Sequence, residues 1–332
     1  MPRVWTRFLD KINATVRESS DFRQNIFKKA VKSKIKLLNA GKITDATLYD
    51  EIVLKKAQSI LGGRVKIAAC GGAPISPDII SELRAIFGFP IIEGYGSTEC
   101  GAACALTMNG NWENGLAPII SNEIKLVSVP ELNYLSENDQ GEVCIRGGNV
   151  MQGYYENPLE TEKAIDSDGW LHTGDIGRWN NNGSLTIFDR KKNIFKLQQG
   201  EYIAPEKIEN VLSQLEEINQ IFIYGDSLKS ALVAIVVLDM EWAWKKSEAF
   251  SGFENFDDLI ASKKIENYLI GNFNKLGKAK GLYGFELPKA VFVAKEVFSV
   301  ENDLTTPTMK LKRPQLKKMY QKNIDLMYAE LE

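Results

Sequence analysis

Histidine is almost missing from this chain of 332 residues and cysteine is scarce: His172 stands alone, and the thiols are Cys70, Cys100, Cys104 and Cys144. These residues have no zinc-ligand spacing. A structural metal and a disulfide framework are therefore disfavoured, and a reducing compartment is the simpler expectation. A lone histidine is more often packed than catalytic, which argues against His172 as an acid–base catalyst. No apolar run approaches the ~20 residues needed to span a bilayer. The run ALVAIVVL (231–238) is short and β-branched and reads as a buried strand. The opening MPRVWTRFLDKINATVRE has no signal-peptide core and carries acids as well as bases. Excess charge is lacking too: 41 basic against 43 acidic residues leave a net −2, so nucleic acid has no electrostatic reason to bind. No G-x-x-x-x-G-K-[ST] phosphate loop, internal repeat or low-complexity tract occurs.

What is present is average for a globular chain, with 44% hydrophobic and 25% charged residues, and the length predicts two or three domains of a soluble, intracellular protein. From residue 5 to about 38, Phe8, Ile12, Val16, Ile26, Phe27, Ala30 and Val31 recur at helical spacing and predict one or two amphipathic helices. A further helix is expected over 45–60, after a cap at Thr44 or Asp45 and before Gly62-Gly63. RVKIAA (64–69), SPDIISELRAIF (76–87) and FPIIEG (89–94) read as strand, Ser76-capped helix and strand, a βαβ unit with parallel strands. Strand-like runs at 123–129, 142–146 and 184–188 then alternate with turns around one short helix at 158–165. Beyond 193, strands near 217–224 and 231–238 alternate with helices near 204–214, 255–276 and 313–329. The expected fold class is α/β. Residues 1–114 form a partial parallel-sheet α/β large domain with a β-rich subdomain over 115–188, and a small α+β carboxyl-terminal domain follows over 189–332.

Four segments carry candidate chemistry. The glycine loops GGAP (71–74) and GYGSTE (94–99) leave the carboxyl ends of neighbouring parallel strands, where ligands bind in α/β sheets. Gly94 and Gly96 let backbone approach a ligand, Tyr95 offers a flat face to a purine, and Thr98 can donate to a phosphate oxygen. Glu99 supplies a hard oxygen suited to Mg²⁺ held partly by substrate phosphates. DGWLHTGDIGRW (168–179) reads as a tight turn presenting Asp175, a carboxylate that could accept from both hydroxyls of a ribose; an ordinary hairpin turn fits as well. DRKKNIFKLQQGEYIAPEKIE (189–209) begins with a charged, hinge-like run that also fits a solvated loop. TTPTMKLKRPQLKKMY (305–320) places Lys310 in a polar loop before a helix striped by Leu316, Tyr320, Ile324 and Met327. Residues 301–310 are the clearest candidate for an ordered loop.

Taken in order, these segments resemble the adenylate-forming superfamily, and most closely its eukaryotic long-chain fatty acid–CoA ligases (acyl-CoA synthetases). The runs DGWLHTGDIGRW, DRKKNIFKLQQGEYIAPEKIENV, YGDSLKS (224–230) and TPTMKLKRPQLKK (306–318) carry the likeness across essentially the whole chain. The resemblance implies ATP/AMP and Mg²⁺ as cofactors, and a long-chain fatty acid and CoA as further substrates. It implies that Tyr95 stacks on adenine, Gly96 belongs to its loop, Thr98 contacts the adenylate phosphate and Glu99 coordinates Mg²⁺. Gly71, Gly72 and Ala73 would line the adenine and acyl side, Asp175 and Arg190 would hold the ribose, and Lys192 matches the hinge. Lys310 matches the lysine serving adenylation, while Lys196 and Gly200 lie in the loop that enters for the thioester step, one residue longer here than in shorter members. The resemblance also implies the cytoplasm or the cytosolic face of an organelle such as the endoplasmic reticulum or peroxisome, with possible peripheral membrane contact and no nucleic-acid partner. Oligomeric state stays open.

Departures from the pattern are as informative. No SGTTGxPKG-like segment is present, so the expectation is a carboxyl-terminal portion without the phosphate loop, inactive alone, and with an apolar face and strand edge that a complete enzyme covers. A non-catalytic nucleotide- or acyl-binding remnant and one half of a split enzyme are the alternatives. A luciferase-like or carrier-loading acceptor fits less well with KLQQGEYIAPEKIENV.

Overall fold

The computed structural model describes residues 2–72, 75–107, 115–240, 242–243, 256–260 and 262–331. It divides into two compact units, Met1–Ile187 and Phe188–Glu332.

In the first unit the helical spacing near the start resolves into α1 (Pro2–Arg17) and α2 (Asp21–Asn39). Trp5, Leu9 and Ile12 from one and Phe27, Ala30, Val31 and Leu38 from the other are buried, because residues three and four apart share a helix face. Lys34 falls on that buried stripe and is paired with Asp50, which also accepts from the Thr47 N–H (2.8 Å) and the Gln58 amide (2.7 Å). Here the single helix expected over 45–60 fails. The segment is a π-type turn at Asp50–Leu54, a short α3 (Lys55–Gln58) and a 3-10 turn at Ser59–Leu61. Helical winding gives way where Asp50 has to reach a buried ammonium and a backbone N–H.

Strands β1 (Ala68–Gly71) and β2 (Ile91–Tyr95) are parallel and joined through α4 (Pro77–Phe87), with Gly71 beside Gly94. Arg84 in α4 is fully buried and donates to the Ile91 carbonyl (3.0 and 2.6 Å) and to Glu93 (3.1 Å), which ties the helix to the strand that ends at Tyr95. The sheet continues through β3 (Ala105–Thr107), β4 (Leu116–Pro118), β5 (Asn122–Val127), β6 (Gln140–Gly147), β7 (Leu171–Trp179) and β8 (Leu185–Arg190), with α5 (Pro158–Ala164) between β6 and β7. Its order is β1-β2-β3-β4-β8-β7-β6-β5, so residues 115–188 complete the sheet that β1 begins.

The second unit opens with the small pair β9 (Phe195–Lys196) and β10 (Tyr202–Ile203), followed by α6 (Pro205–Leu212). Its core sheet runs β11 (Ile218–Gly225), β12 (Leu232–Leu238), β13 (Ala290–Val293). Every residue of β12 is buried. Leu232, Ala234, Val236 and Leu238 pack on one face with Ile208, Leu269 and Phe273, while Val233, Ile235 and Val237 pack on the other with Leu316, Tyr320 and Ile324. Two covered faces explain why this strand reads as an unbroken apolar run. The covering helices are α8 (Lys263–Ala279) and α9 (Arg313–Leu331). The expected helix over 255–276 is instead α7 (Phe256–Ile260) followed by α8, with residues 255 and 261 outside those described.

One electrostatic cluster fastens this unit. Asp189 accepts the Glu206 N–H at the start of α6 (2.7 Å), the Arg190 N–H (2.6 Å) and the Asn193 amide (3.3 Å). Glu209 accepts the Ile223 N–H (2.8 Å) and the Arg313 guanidinium (2.5 Å). Burial pushes Asp189 and Glu209 each up to about 7, against the pull of Arg313. Between about pH 4 and 7 the folded state thus retains protons that the unfolded chain has released, so stability falls as pH rises through that window and levels off above it. The urea midpoint of the second unit should drop from pH 5 to 7.5, and Glu209→Gln should flatten that slope; a midpoint rising over the same range would contradict the assignment.

Candidate functional site

After Tyr95 the chain reverses through a 3-10 turn at Thr98–Cys100 and returns to the sheet, with the Cys104 N–H bonded to the Tyr95 carbonyl (2.8 Å). Gly96 is required by this return: a Cβ there would lie 1.8 Å from the Ala102 carbonyl oxygen. The neighbour that approaches Gly96 is therefore the protein's own backbone, whereas the sequence reading assigned that space to a ligand.

The Tyr95 hydroxyl donates to Asp175 Oδ2 (2.8 Å) and lies 3.3 Å from the Thr173 hydroxyl. Burial first, and the Asp175 charge next, hold the Tyr95 phenol well above its usual range, so it remains a donor. Asp175 itself is a correction to the sequence reading. The tight turn belongs to Asp168-Gly169, and Asp175 lies inside the nine-residue strand β7. What presents it is a bulge. Across from Glu142 and Cys144 on β6 stand Ile176 and His172, so β7 spends four steps where β6 spends two. Gly174 sits in this excess at φ 69°, its N–H donating to Glu142 Oε1 (3.0 Å). The Thr173 hydroxyl donates to the Val143 carbonyl (2.8 Å) and accepts the Asp175 N–H (3.1 Å). A bulge re-aims side chains, and this one turns Asp175 towards Tyr95.

Glu99 lies on the adjoining turn. Its carbonyl accepts the Met151 N–H (2.7 Å) and its carboxylate accepts the Tyr154 hydroxyl (2.9 Å). Thr98 is exposed beside it, Gly71 ends the neighbouring strand, Gly72 follows exposed at φ 84°, and Ala73 lies outside the described residues. The first unit thus brings Tyr95, Thr173 and Asp175 into hydrogen-bonding contact, with Glu99 four residues beyond Tyr95.

The other residues singled out by sequence are in the second unit. Arg190 ends β8, and Lys192 is exposed in the 3-10 turn Lys191–Asn193. The Lys196 ammonium lies 5.2 Å from the centre of the Tyr202 ring, and Gly200 closes the β9–β10 turn at φ 96°. Lys310 is exposed on a loop whose backbone is fixed by Thr306: the Lys310 N–H reaches the Thr306 hydroxyl (3.1 Å) and the Thr306 N–H reaches the Lys310 carbonyl (2.8 Å).

Sequence reasoning overlooked Glu142, Thr173 and Tyr154. For the first two a signal existed: an isolated glycine within a strand pattern, here Gly174, marks a bulge. His172 lies 3.4 Å from Cys144 Sγ and 3.4 Å from Asp166 Oδ2, linking β6, β7 and the loop before β7.

The AMP-binding enzyme family matches residues 2–155. Long-chain-fatty-acid–CoA ligase 1 of Homo sapiens is 44% identical over 336 residues, covering 100% of this chain and 48% of its own length. Long chain acyl-CoA synthetase 7, peroxisomal, of Arabidopsis thaliana is 42% identical, covering 100% and 48%. The chain spans about half the length of these curated relatives. Among solved structures, the A domain of a carboxylic acid reductase from Segniliparus rugosus, in complex with AMP and a co-purified carboxylic acid, is similar at a TM-score of 0.73 and 27% identity, over 93% of this chain and 46% of that one.

The glycine loop supplies a direct check of this geometry. Gly96→Ala should destabilise the first unit by about 2–3 kcal/mol, through overpacking against a backbone that cannot move aside. Gly148→Ala, with nothing within 4 Å of its Cβ, should be neutral. Equal denaturant midpoints for the two variants would disprove the close return.

Proposed function

We propose that this chain belongs to the AMP-binding enzyme family, whose model matches residues 2–155, and that it is the carboxyl-terminal part of a long-chain fatty acid–CoA ligase. The carrying observation is the 2.8 Å bond between Tyr95 and Asp175, 80 residues apart in sequence: the loop aromatic and the ribose-type carboxylate meet in one place. A nucleotide bound there would find an aromatic ring, a hydroxyl-bearing turn and two carboxylates, Asp175 and Glu99.

A fatty carboxylate is a poor electrophile. In this reading it attacks the α-phosphorus of ATP, pyrophosphate leaves, and the acyl-AMP anhydride is then opened by the CoA thiol with release of AMP. Asp175 and Arg190 hold the ribose hydroxyls, Tyr95 the adenine and Thr98 the phosphate, while Gly96 lets the loop fold back on Ala102. Gly71, Gly72 and Ala73 flank the adenine and acyl side. The Lys310 ammonium stabilises charge that accumulates on the transferring phosphoryl group, the kind of preorganised electrostatics that dominates such reactions. Lys196 and Gly200 serve the thioester step, and Lys192 is the pivot between the two steps. Residues 189–332 act as the mobile domain.

Magnesium fits this donor set. Among the described residues no three His, Cys, Asp or Glu side chains form a metal cluster. Glu99 would hold the ion as one carboxylate, together with ligand phosphates and water, the coordination Mg²⁺ favours. When bound, the ion would supply charge neutralisation at the phosphates. The fatty-acid substrate suggests work at the cytosolic surface of an organelle membrane; no helix among the described residues is long and apolar enough to cross one.

Two measurements test the proposal. Residues 1–332 alone, without an SGTTGxPKG-like loop, should show little pyrophosphate exchange with palmitate, and robust turnover would refute the need for that loop. Joined to the amino-terminal portion that longer relatives carry, the chain should support both half-reactions. There Lys310→Ala should slow adenylate formation by roughly 10²–10³-fold, with thioester formation from supplied acyl-AMP nearly intact. Equal loss in the two half-reactions would overturn the role of Lys310.

A further inference from the structure

Tyr154 is an exposed residue on the stretch between β6 and α5, whose backbone is held at both ends by hydrogen bonds. The Asn157 side chain caps α5 by accepting the Glu160 N–H (3.3 Å), and the Thr161 hydroxyl donates to the Asn157 carbonyl (2.9 Å). The same Thr161 oxygen accepts the Tyr154 N–H (2.9 Å). Gly153 passes so close below that a Cβ on it would meet Thr161 Cγ2 at 2.8 Å. The other end of the stretch is fastened to the glycine-loop turn: the Asn149 amide donates to the Cys100 carbonyl (2.6 Å) and the Met151 N–H to the Glu99 carbonyl (2.7 Å). Between these two anchors the Tyr154 hydroxyl meets Glu99 Oε1 at 2.9 Å.

A glutamate side chain has three rotatable bonds, and a carboxylate that must meet a cation in one geometry loses that freedom on binding unless something has already fixed it. We propose that Tyr154 is a positioning residue: its hydroxyl sets the plane of the Glu99 carboxylate, so that Glu99 is oriented for a divalent cation before the metal–nucleotide complex arrives. The proposal rests on the reading of Glu99 as the magnesium-side carboxylate. The chain of cause runs from the Asn157 cap through Thr161 to Tyr154, and from there to Glu99.

The test uses the chain joined to the amino-terminal portion of a long-chain ligase. It reads the Mn²⁺ dissociation constant in the presence of ATP by electron paramagnetic resonance, and the Mg²⁺ concentration for half-maximal pyrophosphate exchange. Tyr154→Phe should raise both by about three- to tenfold, the effect of one lost charge-assisted hydrogen bond, while AMP affinity measured in EDTA stays unchanged. Thr161→Val removes the acceptor for the Tyr154 N–H without touching the phenol. It should shift both in the same direction by a smaller factor, and it decides the matter if the phenylalanine variant fails to fold. An unchanged metal requirement in these variants, while Glu99→Gln raises it, overturns the proposal and leaves the functional reading standing. A Glu99→Gln variant with no change in metal requirement overturns both. Equal loss of AMP and metal–ATP affinity would make Tyr154 a structural clamp only, which also overturns it.

Discussion

A strand that carries more residues than its partner must throw the surplus off the ladder, and the first unit is organised around one such surplus. The excess at Thr173–Asp175 leaves backbone groups that the β6–β7 pairing cannot satisfy. Glu142 takes one of them, the Gly174 N–H, and the Thr173 hydroxyl takes two, the Val143 carbonyl and the Asp175 N–H. With those groups paired the bulge is held in shape, and Asp175 is held against the Tyr95 hydroxyl. The contact between Tyr95 and Asp175 depends on that alignment, because the two residues come from strands that are not neighbours in the sheet.

Elements with one dominant signal were legible in the sequence. The helices over 2–39 follow from apolar spacing, β12 from its unbroken apolar run, and the β1–α4–β2 order from its glycines, although β1 is Ala68–Gly71 where the strand was expected over 64–69, and the Ser76 side chain makes no cap hydrogen bond. What stayed hidden was decided by partners far along the chain. The segment 45–60 has a helical pattern, but Asp50 answers to Lys34, 16 residues earlier, and local periodicity carries no record of such a pairing. Strands β3, β4, β9, β10 and β13 are two to four residues long and give periodicity too little to work with. In β7, the Gly174-Asp175 pair mimicked a turn, although only Asp168-Gly169, ahead of the strand, forms one.

The candidate site divides along the same line. Motif residues could be picked out by type, since an aromatic between glycines or a carboxylate after Gly174 is conspicuous. Their supports could not. Glu142, Thr173 and Tyr154 are ordinary residues made important by geometry, and Gly96, which looked like an opening for a ligand, is filled by the chain's own return at Ala102.

The anchoring of Asp189 has a mechanical consequence. Its carboxylate is bonded downstream, to the Glu206 N–H at the head of α6 and to the Asn193 amide, so the backbone from Asp189 to Asn193 is a closed clasp belonging to the second unit. A change of backbone torsion at Lys192 would strain these bonds, whereas one upstream of Asp189 would leave them intact. The run Asp189–Asn193 is thus tied to the head of α6, so its conformation is set by the same hydrogen bonds that begin that helix.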